Sequence, residues 1–168
     1  MAQDALAANA AASNAPGEKI GEPSLLNMYA LALKEAGRFV EAARHYETAL
    51  AMEPRNFILL LNAAATYAEV VTAPALRARH GEALARVQEL YRRAVAANRD
   101  RGTTPVETTS GVADGLRIMT NNVQFFVDRA RAGADNNPRV QAVGAELLQM
   151  LRDAAGGTFN AQFRNDLP

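Results

Sequence analysis

Apolar residues recur at steps of three and four along most of the chain, and this spacing predicts helices rather than strands. The first predicted helix begins at Ser24 and ends at Gly37, and the second ends at Pro54. Gly37 suits the left-handed position that follows a helix, and so short a turn predicts an antiparallel pair. The apolar positions of this pair are Leu25, Leu26, Tyr29, Ala32, Leu33, Ala36, Val40, Ala43, Tyr46, Ala49, Leu50 and Met52.

The same spacing predicts four further helices. The first two cover 57–71 and 74–97. The third begins at either Thr104 or Gly111 and ends at Ala132, and the last is capped by Asn137 and ends at Gly156. We therefore expect an all-α fold of three antiparallel helical hairpins with extended N- and C-terminal arms. The predicted divisions are an arm at 1–22, hairpins at 23–56 and 57–99, a linker and third hairpin at 100–156, and a tail at 157–168.

Composition narrows the classes of function. The chain has 168 residues, 18 Lys+Arg against 18 Asp+Glu, no Cys and two His. A net charge of zero argues against a general nucleic-acid binder, and without Cys there is no thiol nucleophile or Cys-ligated zinc. His45 and His80 lack a second ligand at metal spacing, and the chain has no phosphate-binding or serine-nucleophile motif. We expect no enzymatic activity, no cofactor, no metal and no small-molecule substrate.

The sequence also bears on the membrane and on the compartment. The longest apolar run, at 28–33, is six residues, whereas a membrane span needs about 18 or more. The first nine residues contain an Asp and lack the basic start of a secretory signal. We expect no direct membrane insertion and a cytoplasmic protein. A periplasmic protein, or one of another compartment, is the alternative if a signal was removed.

Residues 26–56 resemble the tetratricopeptide repeat. The match consists of Leu26-x2-Tyr29-Ala30-x2-Leu33, then Ala42-x3-Tyr46, Ala49 and Pro54. The family usually has Trp, Leu, Gly and Tyr at the positions of Leu26, Tyr29, Ala30 and Leu33, so the order of large and small residues is kept. A second, expanded repeat matches at Leu60-x2-Ala63-Ala64-x2-Tyr67 and Val87-x3-Tyr91 with Ala94. The resemblance covers about 23–97, because the third hairpin shares only the apolar spacing.

The resemblance implies a binding face. Tetratricopeptide hairpins stack into a superhelix, and the first helix of each hairpin contributes to a concave groove that holds a partner segment. The partner-binding residues implied here are Asn27, Leu31, Lys34, Glu35, Ile58, Leu61, Asn62, Ala65 and Glu69. Asn27 and Leu31 replace the Lys and Asn of the subclass that grips a terminal carboxylate, so that two-carboxylate clamp is absent. The mixed, rather apolar groove favours an amphipathic helix or an extended apolar segment as ligand. The alternative is that these residues pack against the arm at 1–22.

We therefore expect a non-enzymatic protein–protein interaction module, either an adaptor or a structural or accessory subunit of a multiprotein assembly. Its groove and terminal arms would bind protein partners. A dedicated chaperone for a secreted or assembling protein is the alternative, since it would use the same groove. The arginines between 77 and 101 are offset by Glu82, Glu89 and Asp100, which predicts a solvated face and no nucleic-acid partner. An acidic protein partner is the alternative for this stretch, because the planar guanidinium pairs well with carboxylates.

Overall fold

The structure of the chain is a computed structural model, which describes residues 22–101, 109–133 and 137–156. Within these residues the chain forms six α-helices and one 3-10 helix, and no strand. The helices are α1 (Glu22–Glu35), α2 (Phe39–Met52), α3 (Phe57–Thr72), the 3-10 helix (Pro74–Arg79), α4 (His80–Arg101), α5 (Thr109–Ala132) and α6 (Pro138–Gly156). The predicted all-α class is confirmed. The predictions for the arm before Glu22, for a helix start at Thr104 and for the tail at 157–168 lie outside the described residues.

Helices that follow each other in the chain pack as neighbours. α1 pairs with α2, α3 with α4, and α5 with α6. These pairs are joined by α2 against α3, by α4 against both α5 and α6, and by α3 against α5. One continuous apolar core runs through all of them, and its largest fully buried side chains are Tyr46, Tyr91, Leu60 and Leu90. The neighbouring pairs agree with the predicted hairpins, while the tetratricopeptide-like stacking itself stays a prediction.

The turn between α1 and α2 forms as predicted at Gly37. This residue has a φ of 75°, which costs a glycine little because it has no Cβ to clash. The Gly37 N–H donates to Lys34 O at 2.9 Å, and the Arg38 N–H donates to Leu33 O at 2.8 Å. These two bonds form a Schellman motif, which satisfies the last carbonyls of α1 and reverses the chain.

The helix predicted at 74–97 differs in the structure. Its first six residues form a 3-10 helix, and the α-helix begins only at His80 and continues to Arg101. Leu76 has φ −108° and ψ 20°, outside the helical region, so the hydrogen bonding of a continuous α-helix is interrupted there. The His80 ring donates from Nε2 to Ala73 O at 2.8 Å, which ties the start of α4 back to the residue before Pro74. Apolar spacing alone does not reveal this bend.

α3 occupies the middle of the fold. It contacts α2, α4 and α5, and nine of its 16 residues are buried. Asn56 caps its first turn by accepting the Leu59 N–H on Oδ1 at 3.1 Å, as N-cap residues do. No single helix among the described residues, α3 included, is long and apolar enough to cross a membrane. Only α3 together with Pro74–Arg101 passes that test, as a pair bent by 112°.

Candidate partner-binding face

The first helices of the three pairs carry side chains at matching intervals. Ile58, Asn62, Ala65 and Glu69 follow α3 at steps of four, three and four residues. The α5 residues Ile118, Asn122, Phe125 and Arg129 are separated by the same steps of four, three and four. The α1 residues Asn27, Leu31 and Lys34 are separated by steps of four and three. Such steps place residues on one side of a helix. We call this surface the α1/α3/α5 face, formed by Asn27, Leu31 and Lys34 of α1, by the four α3 residues, and by Ile118, Asn122, Phe125 and Arg129 of α5.

Two polar contacts hold the three helices side by side on this face. Asn62 donates from Nδ2 to Asn27 Oδ1 at 3.0 Å, which joins α3 to α1. Arg129 of α5 pairs with Glu69 of α3, with 2.5 Å between Nη1 and Oε2. The Arg129 guanidinium also lies over the Phe125 ring, 5.6 Å from its centroid, within the range of a cation–π contact. The face is therefore a single surface built from three helices.

Large apolar side chains are exposed mainly on these first helices. Six large apolar residues are exposed among the described residues, and five of them belong to α1, α3 or α5. They are Met28, Leu31, Ile58, Ile118 and Phe125, with Phe125 60% and Ile58 53% exposed. The sixth, Met52, ends α2. A cluster of exposed apolar side chains on one side of a protein is typical of an interaction surface.

Most of the residues predicted to bind a partner lie on or beside this face. Leu31, Lys34, Glu35 and Glu69 line one hollow together with Phe39. Ile58 is exposed, while Asn27, Asn62 and Ala65 are half-buried. Leu61 differs, because it is only 8% exposed and belongs to the apolar core. In this structure it stabilises the fold and offers no surface to a partner.

Sequence reasoning missed the contribution of α5. Ile118, Asn122, Phe125 and Arg129 complete the face, yet the third hairpin lacks the tetratricopeptide signature from which the other positions were inferred. The steps of four, three and four were the available signal, because they repeat those of the α3 residues. They could have been found by comparing the polar and exposed-apolar positions of helices at corresponding places in each hairpin.

A cavity of about 190 Å³ opens on this face between α3 and α5. Lys34, Glu69, Phe125 and Arg129 are partly exposed and form its rim, and the fully buried Tyr91 of α4 forms its floor. The Tyr91 hydroxyl is buried, and the Asn122 amide interacts with its oxygen as a donor, which works against the rise in pKa. The O–H group itself has no acceptor among the described residues. Burial raises the pKa of Tyr91, so the hydroxyl stays protonated and can donate a hydrogen bond.

The charges around this cavity do not cancel. The Glu69 carboxylate is engaged by Arg129. Lys34 forms no ion pair or hydrogen bond with any described residue. Two cations and one carboxylate line the cavity, which leaves it one positive charge at neutral pH. The site therefore presents apolar walls, a buried hydroxyl donor and an ammonium group that no described residue engages.

The histidines and acidic residues of the described part of the chain do not assemble a metal site. No group of three or more metal-ligating side chains occurs there. His45 packs edge-on against Tyr29 with ring centroids 4.5 Å apart, and burial lowers its pKa. His80 bonds the Ala73 carbonyl. In this part of the chain, both imidazoles have structural contacts.

Comparison of the chain with family models, curated proteins and solved structures gives no match. The resemblance to the tetratricopeptide repeat therefore depends on the residues of this sequence alone.

Proposed function

We propose that the chain is a non-enzymatic protein–protein interaction module, an adaptor or accessory subunit, whose three hairpins stack in a tetratricopeptide-like manner. A segment of a partner protein binds along the α1/α3/α5 face. The main support is the distribution of exposed large apolar side chains, five of which lie on the first helices and one elsewhere. Placing this apolar area in an interface removes it from water, which is the main favourable term in association.

The polar contacts of the face support the same function. The Asn27–Asn62 and Glu69–Arg129 contacts fix three helices relative to one another before any partner arrives. A surface ordered in advance loses little conformational freedom on binding, which favours affinity.

The test is a selection from random twelve-residue peptides displayed on phage and panned against the full chain. We expect peptides that bind the wild type and are lost with Ile58→Asp and with Phe125→Asp. Both side chains are more than half exposed, so these changes place a charge on the face without disturbing the core. Circular dichroism checks that each variant keeps its helix content.

Met52→Asp is the matched control. Met52 is 45% exposed and apolar, but it ends α2, a helix that contributes no residue to the α1/α3/α5 face. Peptides selected on the wild type should bind this variant unchanged. Selected peptides that bind both Ile58→Asp and Phe125→Asp as well as they bind the wild type would contradict the proposed function. A selection that enriches no peptide would contradict it too.

A further inference from the structure

The cavity between α3 and α5 contains a buried polar group that the fold leaves unsatisfied. Tyr91 is 0% exposed, and its O–H has no acceptor among the described residues, since Asn122 interacts with it only as a donor to the oxygen. Buried polar groups in folded proteins are nearly always hydrogen-bonded, because an unpaired donor loses its interactions with water. Tyr91 belongs to the lining of the cavity, so a group that enters from the face needs only a small shift of the covering side chains to supply the missing acceptor.

The size and walls of the cavity fit one side chain. Its volume of about 190 Å³ holds a side chain of several heavy atoms but not a segment of backbone. Ala65, Ala68 and Phe126 supply apolar walls around the polar floor. The best occupant therefore has an aliphatic stem and a hydrogen-bonding tip.

The charged residues that line the cavity determine which polar group the end of the occupying side chain should carry. A basic tip would meet Lys34 and Arg129, and Glu69 is already paired with Arg129. A carboxylate would accept a hydrogen bond from the Tyr91 hydroxyl and pair with the Lys34 ammonium. Hydrogen bonds that involve a charged group are the stronger class.

We propose that this cavity is the anchor site of the α1/α3/α5 face and that it takes one acidic side chain of an otherwise apolar partner segment. The inference rests on the proposed function, because it names the chemistry of the partner. It differs from the two-carboxylate clamp, whose positions hold Asn27 and Leu31 here. The residues that make the site are Lys34, Tyr91 and Asn122, one from each of three helices.

The peptide selection separates this inference from the proposed function. Displayed peptides that are joined to the coat protein at their C-termini have no free terminal carboxylate, so a selected acidic group is a side chain. We expect the peptides that depend on Ile58 and Phe125 to share one Asp or Glu between apolar residues. Face-dependent peptides that share no acidic residue, or share a basic one, would overturn the anchor site and leave the proposed function standing. No face-dependent peptide at all would overturn both.

A binding cycle tests the individual residues. One selected peptide and its copy with the acidic residue changed to the matching amide are titrated calorimetrically into the full chain. We expect the amide copy to bind wild type about tenfold more weakly, the effect of losing one charge-assisted interaction. In Lys34→Ala and in Tyr91→Phe the ratio of the affinities for the acidic peptide and its amide copy should fall to about threefold or less, because each change removes a group that binds the carboxylate.

Tyr46→Phe is the matched control for Tyr91→Phe. Tyr46 is also 0% exposed with an unpaired hydroxyl among the described residues, and it does not line this cavity. The variant should keep the tenfold ratio between the two peptides. If Tyr91→Phe and Lys34→Ala both keep that ratio as well, these residues do not hold the acidic side chain and the anchor site is wrong.

Discussion

The first two hairpins and the third bring their helices together with different small residues. In the first two, buried alanines lie at the helix contacts, and Ala30, Ala42 and Ala63 are each 0% exposed. In the third, the close contacts occur at glycines. A Cβ on Gly115 would overlap the Asn98 side chain, and a Cβ on Gly144 would overlap Val127. Gly144 thus lets α6 approach α5 more closely than an alanine would allow, and Gly115 does the same where α5 meets Asn98 of α4.

The ties between successive hairpins differ as well. Glu47 of α2 accepts hydrogen bonds from Arg86 of α4 and from Tyr67 of α3, so one half-buried carboxylate joins the first hairpin to both helices of the second. The second and third hairpins are tied by the Glu69–Arg129 pair, by Asn98 of α4, which donates to Val112 O of α5, and by Glu146 of α6, which bonds Arg92 and Gln88 on the exposed surface. Half-buried pairs resist solvent screening better than exposed ones. We therefore expect the Glu47 tie to contribute more than the exposed Glu146 tie.

Ala42→Leu should have the largest effect on stability. Ala42 is 0% exposed in α2, so three added carbons have no free space and must displace the packed helices. We expect a loss of about 3 kcal/mol in the free energy of unfolding, the upper part of the range for overpacked cores. Urea denaturation followed by circular dichroism measures it. Ala51→Leu is the control, since Ala51 is exposed on the same helix, and it should leave stability nearly unchanged.

Gly144→Ala tests the glycine packing of the third hairpin. The new Cβ would overlap Cγ2 of Val127, and a β-branched side chain has few rotamers with which to move away. We expect a net loss of about 2 kcal/mol in the free energy of unfolding, after the better helix propensity of alanine offsets part of the clash. Denaturation in urea measures the loss.

Two further variants decide whether that clash is the cause. Gly81→Ala is the control, because no atom lies within 4 Å of a Cβ at that position. It should stabilise the protein by about 0.5 kcal/mol through backbone entropy. In a Val127→Ala background, Gly144→Ala should cost much less than in the wild type. An equal cost in both backgrounds would show that Gly144 is needed for another reason.

Much of the helical architecture could be predicted from the sequence, because apolar spacing is local. The positive φ of Gly37 and the ends of α3 at Phe57 and Thr72 follow from residues at or next to those places. The 3-10 helix escaped prediction, since the conformation of Leu76 and the His80–Ala73 contact are not encoded in apolar spacing.

The face was predicted where the repeat signature exists and missed where it does not. Ile58 is exposed as predicted, whereas Leu61, three residues further along α3, is buried. Both are aliphatic, and only the direction in which neighbouring helices pack decides which one faces inward. The cavity over Tyr91 could not be predicted, because Lys34, Tyr91 and Asn122 come from three helices far apart in the sequence.

Glu47→Gln should have a smaller effect than either packing change. Burial works to raise the pKa of Glu47, but the hydrogen bonds from Arg86 and Tyr67 and the charge of Arg86 lower it overall below its usual 4.5. Tyr67 remains a donor, since burial and the charge of Glu47 raise its pKa to about 12. We expect a loss of about 1 kcal/mol at neutral pH, because the side chain is one-third exposed and solvent screens the pair.

The pH dependence of that loss identifies its origin. A carboxylate with a lowered pKa in the folded state stabilises the fold above its ordinary pKa, and the contribution disappears as the pH falls through the lowered value. The difference between wild type and Glu47→Gln should therefore be full above pH 4.5 and shrink in more acidic solution. If the difference in the free energy of unfolding stays constant as the pH falls, the loss comes from the shape of the amide and not from the missing charge. Glu41→Gln, in an exposed pair with Arg38, should cost less than Glu47→Gln at neutral pH.

Glu146→Gln should have the smallest effect, although it removes the carboxylate that links α4 to α6. Arg92 and Glu146 are 55% and 47% exposed, and exposed pairs contribute about 0–1 kcal/mol. We expect a loss below about 0.5 kcal/mol that vanishes in 1 M salt, where the screening length is about 3 Å. Urea denaturation at low and high salt measures both quantities. If Glu146→Gln costs as much as Glu47→Gln, the third hairpin depends on its surface tie as much as the first two depend on theirs. A cost near zero would show that this exposed pair does not hold the third hairpin in place, and would assign its attachment to the apolar contacts, the Glu69–Arg129 pair and the Asn98–Val112 hydrogen bond.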